Sequence, residues 1–157
     1  MQIEYFKLID RILDLNTAEK TITAEARVPE VNTIFEGHFP GHPIMPGVLL
    51  IESMAQTSGW LLLALMKFER MPFLAAVKEA KIRGFVSPGE LLTIEANVLH
   101  EGSGYAMTEA RVKVGGKLKC NATITFSHVP FPNPDLRGHM EAMAKRIGLP
   151  HQAIAHD

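Results

Sequence analysis

The segment from Val48 to Phe68, VLLIESMAQTSGWLLLALMKF, does most to limit what this chain can fold into. It is rich in good helix formers and poor in β-branched residues. Pro46-Gly47 stands just before its first turn, where proline's fixed φ and missing N–H are tolerated. Wound into a helix, it carries apolar side chains around the whole axis instead of along one stripe, so it has to be enclosed on most sides. The polar exceptions are Glu52, Ser53, Gln56, Thr57 and Ser58. Gly59 weakens the helix slightly and allows close packing.

The enclosing material reads as β-structure. Lys20 to Val28 (KTITAEARV) alternates polar and apolar residues, the pattern of a strand with one wet face. Lys7 to Leu15 (KLIDRILDL) fits helix or strand by itself. Asn16-Thr17-Ala18-Glu19 reads as a hairpin turn and makes both flanks strands. Beyond Pro72, strands are predicted at Phe73–Phe85, Leu91–His100, Tyr105–Val114 and Leu118–Phe126. Turn signals at Ser87-Pro88-Gly89, Gly102-Ser103-Gly104 and Gly115-Gly116 separate them, and such short links imply antiparallel pairing. One long helix and about six strands predict an α+β layer arrangement, with a single curved sheet wrapped around the helix and its edges open to partners. Pro132-Asn133-Pro134 then breaks the chain, and Asp135 to Ile147 predicts a short polar helix. Residues 1–128 read as the main domain and 129–157 as a partly helical C-terminal extension.

At 157 residues the chain can bury a real core. A net charge of −1 argues against a general nucleic-acid binder or a strongly basic membrane-surface protein. The lone cysteine, Cys120, rules out a disulfide framework or a cysteine-based zinc site within one chain, and its place in a predicted strand suggests an inert thiol. The first residues are acidic early and hold no uninterrupted apolar stretch, so they do not read as a signal peptide. The longest purely apolar run, Trp60 to Met66, falls far short of the ~20 residues a membrane span needs. A soluble cytoplasmic protein with no membrane span and no nucleic-acid partner is the expectation. The eight methionines read as core gap-fillers.

Chemistry concentrates between His38 and Glu52. His38 sits in a loop pinned by Pro40-Gly41 and Pro43, where a neutral imidazole is a competent base near pH 7. His42 competes for that role, and spacing alone does not choose between them. Glu52 has Val48, Leu49, Ala55 and Gln56 as helical neighbours. A carboxylate in that company should be desolvated, its pKa raised, and its acid form able to donate a proton. The other reading of Glu52 is an ion pair at an interface. Gly47 begins the helix, where backbone N–H groups lack intrahelical partners and can hold an anion or polarise a carbonyl. A metal held by His38, His42 and Glu52 is disfavoured, because Pro40 and Pro43 deny the helix that would aim both rings one way. No Gly-x-Ser-x-Gly occurs, and Ser53 and Ser58 have no obvious base.

The stretch GHFPGHPIMPGVLLIESMAQ, Gly37 to Gln56, closely resembles the signature of the β-hydroxyacyl-acyl carrier protein dehydratases of the FabZ type. Leu74 to Glu90 (LAAVKEAKIRGFVSPGE) resembles that family's following strand and Pro-Gly turn, and the likeness runs from about Leu8 to Phe126. The resemblance implies the hot-dog fold, a long helix wrapped by an antiparallel sheet. It implies dimers whose sheets join edge to edge, often gathered as trimers of dimers. It further implies His38 as catalytic base and Glu52 as the acid, supplied by the partner subunit. Gly47 would be the backbone donor to the thioester carbonyl and Gln56 the support for Glu52, with no cofactor and no metal. The implied reaction converts a (3R)-3-hydroxyacyl thioester on acyl carrier protein to the trans-2-enoyl product. Related FabA-type enzymes, which also isomerise the double bond, carry Asp at the position of Glu52, so Glu favours dehydration alone.

Two departures stand out. The usual His-Arg-Tyr-Pro segment is missing, with Ile3 to Ile9 shorter and different, and the tail after Ser127 is longer than the family commonly shows. Both would suit a specialised dehydratase, for instance one serving long lipid A acyl chains with a dedicated carrier. An acidic carrier protein calls for a basic rim, for which Lys78, Lys81 and Arg83, with Lys113, Lys117 and Lys119, are candidates. Ordinary solvated strand charge is the alternative. Trp60, Leu61, Met54 and Met66 are candidates for setting tunnel depth. Competing functions are a hot-dog acyl thioesterase and a non-catalytic acyl-binding member.

Overall fold

In this computed structural model, which describes residues 1–154, a single 3₁₀ turn at Ile3–Tyr5 leads into β1 (Arg11–Asn16) and β2 (Thr21–Arg27). A one-turn helix α1 (Ile34–Gly37) and the long α2 (Gly47–Leu65) follow. Then come β3 (Met71–Ile82), β4 (Leu91–Gly102), β5 (Tyr105–Val114), β6 (Lys117–Val129), α3 (Pro134–Arg146) and a short α4 (His151–Ile154). The six strands form one sheet in the order β1-β2-β4-β5-β6-β3. Every pairing is antiparallel. This is the α+β hot-dog arrangement expected from the sequence.

The alternation read in the strands is the alternation that folds them. Ile22, Ala24 and Ala26 on β2, Leu92, Ile94 and Ala96 on β4, Ala106, Ala110 and Val112 on β5, and Ala122, Ile124 and Phe126 on β6 all face inward and are buried. Many of these are alanines, so the inner face of the sheet is shallow enough for a helix to lie close. Leu50, Met54, Leu61 and Leu62 of α2 fill that face, and full burial stabilises by about 1.5–3 kcal/mol per large apolar side chain. By length and composition α2 could cross a membrane, but here the sheet wraps it. Its buried hydroxyls are all satisfied. Ser53 donates to the Leu49 carbonyl, Thr57 to the Ser53 carbonyl, and Thr108 of β5 donates across to Ser58 at 2.8 Å.

The first and third strands differ from the sequence expectation. Lys7–Ile9 lies outside the ladder, and β1 starts only at Arg11, because the backbone of Phe6 and Leu8 bonds to a side chain of α2 instead of to a strand. β3 ends at Ile82, short of Phe85, where the chain turns away to bond Met45 N–H to the Val86 carbonyl. The tail helix is capped by Asn133, whose side chain accepts from Leu136 N–H, with Pro134 in the first turn. It stops where Gly148 takes a φ of +91° and Leu149 N–H returns to the Ala144 carbonyl. The tail packs onto the main core: Ala144, Leu149, Ala153 and Ile154 are buried in it, and Ile12 N–H bonds to the Ile147 carbonyl at 2.7 Å.

Cys120 points inward from β6 and is fully buried, which pushes its thiol up to about 11. Native protein at neutral pH should therefore resist a thiol-alkylating reagent over hours and react promptly once unfolded in urea. Rapid modification of native protein would contradict this placement.

Candidate active site

His38 ends α1 and is half-buried. The loop after it folds back on itself: Phe39 and His42 exchange backbone hydrogen bonds, and Ile44 N–H bonds to the His38 carbonyl. This return brings the Ile44 carbonyl to 3.1 Å from His38 Nδ1. A carbonyl oxygen only accepts, so in the neutral ring Nδ1 carries the hydrogen and Nε2 the lone pair. The ring is also stacked on Phe39 with centroids 4.2 Å apart. His42, the competitor in the sequence, is exposed and meets Phe85 edge-on at 6.3 Å. The anchored ring is thus His38.

Gly47 opens α2 behind Pro46, and the first carbonyl used by the helix belongs to Pro46, which accepts from Leu49 and Leu50 N–H. The N–H groups ahead of these have no partner within the helix. A side chain at Gly47 would meet Ile82 of β3 at 3.2 Å, so the glycine is also what lets the end of β3 lie against the helix start.

Glu52 stands on the one face of α2 that the sheet leaves uncovered, a strip shared with Val48 and Gln56. The desolvation expected from its helical neighbours is therefore not reached within one protomer, where Glu52 is only half-buried. Sequence spacing shows which residues neighbour the carboxylate along the helix, but not that the sheet stops short of them.

Gln56 holds three groups together. Its Nε2 donates to Glu52 Oε1 at 3.2 Å and to the Phe6 carbonyl at 2.9 Å, while its Oε1 accepts from Leu8 N–H at 3.1 Å. The N-terminal segment, which departs from the resembled family, is fastened to the carboxylate's immediate support. Replacing Gln56 by Leu keeps the bulk but strands these partners. It should cost about 1–3 kcal/mol in urea unfolding. Turnover should also fall, by less than the loss of Glu52 itself causes. Unchanged stability would show that these bonds contribute nothing net.

A cavity of about 400 Å³ opens beside Glu52. Along α2 its wall is Glu52, Ala55, Gln56, Gly59, Trp60 and Leu63. Phe6, Met71, Pro72, Leu74 and Phe126 complete it, with Met140 and Met143 from α3. Of the four residues suggested to set tunnel depth, only Trp60 lines it. Met54 and Leu61 face the sheet and are fully buried, and Met66 lies past the end of the helix. His38 does not line the cavity, so one chain does not bring His38 and Glu52 together there. Among the described residues no group of three or more His, Cys, Asp or Glu side chains is placed to hold a metal ion.

The basic candidates separate by position. Lys78 and Lys81 are exposed on β3, an edge strand. Arg83 lies just past it, donating to Asn121 Oδ1 at 2.7 Å, with its N–H on the Lys119 carbonyl. Lys113 is engaged with Glu95 at 3.2 Å.

Residues 2–123 match the FabA-like domain family. The 3-hydroxyacyl-[acyl-carrier-protein] dehydratase FabZ of Levilactobacillus brevis is 39% identical over 119 residues, spanning 75% of this chain and 80% of that protein. FabZ of Koribacter versatilis is 39% identical over 127 residues, spanning 80% and 81%. Among solved structures, a conserved protein of Pseudomonas aeruginosa shares the fold with a TM-score of 0.63 at 22% identity, covering 80% of this chain and 91% of its own. A hypothetical thioesterase of Streptococcus pneumoniae, solved with coenzyme A, does so with a TM-score of 0.61 at 15% identity, covering 78% and 90%. Family domain, relatives and fold agree: the chain belongs to the FabA-like family, in its FabZ type.

Proposed function

We propose that the protein removes water from (3R)-3-hydroxyacyl chains carried as thioesters on acyl carrier protein, giving the trans-2-enoyl product in fatty-acid biosynthesis, at sites shared between two copies of the chain. The observation that carries this reading is His38, its Nδ1–H fixed on the Ile44 carbonyl and its Nε2 left as a base, in a chain of the FabZ type.

The position of β3 supports sharing. The strand pairs with β6 on one side and leaves its other side open, and Phe73, Val77 and Ile82 on it are substantially exposed. The cavity with Glu52 touches the first half of β3, at Met71, Pro72 and Leu74. The loop that holds His38 reaches the far end, where Ile82 packs on Gly47 and Val86 bonds to Met45. Antiparallel pairing of β3 with its counterpart in a second copy sets the His38 end of one strand beside the Glu52 end of the other. The partner would also cover the strip of α2 that leaves Glu52 half-exposed.

The chemistry then balances. His38 Nε2 takes the proton from C2 of the substrate. Charge develops on the thioester oxygen, which the free N–H groups at Gly47 stabilise. The C3–O bond breaks, and the hydroxyl leaves as water with a proton from Glu52, or from a water it holds. Return of the proton from His38 to Glu52 resets the pair. Each positioned proton transfer contributes about 10²–10⁴-fold.

Purified protein should hydrate enoyl thioesters and release no thiol. Thiol release without hydration would replace this reading with a thioesterase. For the carrier, Lys78 and Lys81 fall on the edge that pairing uses, which leaves Arg83, Lys117 and Lys119 as the accessible basic group. Arg83→Glu with Lys119→Glu should raise KM for carrier-linked substrate about tenfold while changing KM for a short soluble thioester little. An equal effect on both would reject the patch.

A further inference from the structure

The cavity has a polar end and an apolar remainder. Glu52 and Gln56 make up its polar end, and from Glu52 to Leu63 it follows α2 for roughly 16 Å of helix rise. Such a shape suits a hydrocarbon chain attached to a reactive polar head. Part of its wall comes from outside the FabA-like domain, which ends at residue 123, because Met140 and Met143 belong to α3. That helix is capped by Asn133 and fixed to the core through Ala144, so its methionines are held against the cavity.

A second cavity of about 140 Å³ lies next to the first. Gln56, Trp60 and Met143 line both, so these side chains form the partition. Methionine is unbranched and flexible, and it makes an adjustable wall.

We propose that α3 sets how much hydrocarbon the site accepts, with Met140 and Met143 limiting the acyl chain and Met143 closing off the neighbouring cavity. The acyl nature of the ligand rests on the dehydratase reading, but the size limit does not depend on turnover.

Three proteins test it: the wild type, the double variant Met140→Ala/Met143→Ala, and Gly59→Leu. A side chain at Gly59 meets no atom within 4 Å at its Cβ, and Gly59 lines the cavity, so leucine there projects into it. Turnover is measured on 3-hydroxyacyl thioesters of short and long chain. Binding is measured on stable acyl-pantetheine amides of the same lengths. The long-to-short ratio of affinities, and of kcat/KM, should rise about tenfold in the double variant and fall about tenfold in Gly59→Leu. An unchanged ratio in the double variant would overturn the proposal, whatever Gly59→Leu does, as would failure to bind an amide of any length. Shifted binding preference with no dehydration of any thioester keeps the size limit and removes the dehydratase reading. If the double variant unfolds, Met140→Ala and Met143→Ala taken singly carry the test, and an unchanged ratio in both overturns the proposal.

Discussion

Replacing His38 by Ala, or Glu52 by Gln, should each lower kcat about 10²–10⁴-fold with a much smaller change in KM, because each would remove one of the two proton transfers proposed above. The two losses should also complement. When the variants are unfolded and refolded together, half of the resulting dimers are hybrids. A hybrid carries one site with both faults and one with neither. Activity should then return to about one quarter of wild type, the signature of a symmetric site built from two chains. Each variant alone should stay inactive through the same treatment. No recovery in the mixture, with hybrid dimers confirmed by mass, would place His38 and Glu52 of a single chain in one site. Full activity of either single variant would remove that residue from the chemistry altogether.

Blocking the open side of β3 should split the proposed dimer and silence it together. Ala75 is the natural position, since it has no partner in the register with β6, which steps from Leu74↔Phe126 to Ala76↔Thr125. Proline there falls at the bulge, where the register with β6 is already interrupted, and edge strands tolerate it. Ala75→Pro should weaken association at least about 100-fold, about 2.8 kcal/mol, read by sedimentation at several concentrations. Turnover per chain should fall in step with the loss of dimer and recover at high protein concentration. Val77→Lys, which places a charge on the same strand without touching the backbone, should do the same more weakly. A dimer that survives both substitutions with full turnover would place the interface elsewhere.

Much of the fold was readable because its signals are local. The apolar run of α2 and the polar–apolar alternation of β2, β4, β5 and β6 each describe an element by its own residues. What escaped depends on contacts across the fold. Lys7 to Ile9 has the pattern of a strand, yet Phe6 just before it and Leu8 within it bond to the side chain of Gln56, nearly fifty residues away. Single turns such as α1 and α4 are too short to show a period. The exposure of Glu52 follows from where the sheet ends. The choice between His38 and His42 turns on a carbonyl six residues on, brought back by the loop. One signal was available and unused: Leu136, Met140, Met143 and Ile147 recur at helical spacing, an apolar stripe in a tail that otherwise reads as polar. It marks the face of α3 that meets the rest of the chain.

The three-way grip of Gln56 has a practical consequence for anyone producing this protein. A segment fused ahead of Met1 sits a few residues from Phe6 and Leu8, whose carbonyl and amide hold the side chain bonded to Glu52. A purification handle at the front of the chain should thus slow turnover, and cutting it off should restore the rate.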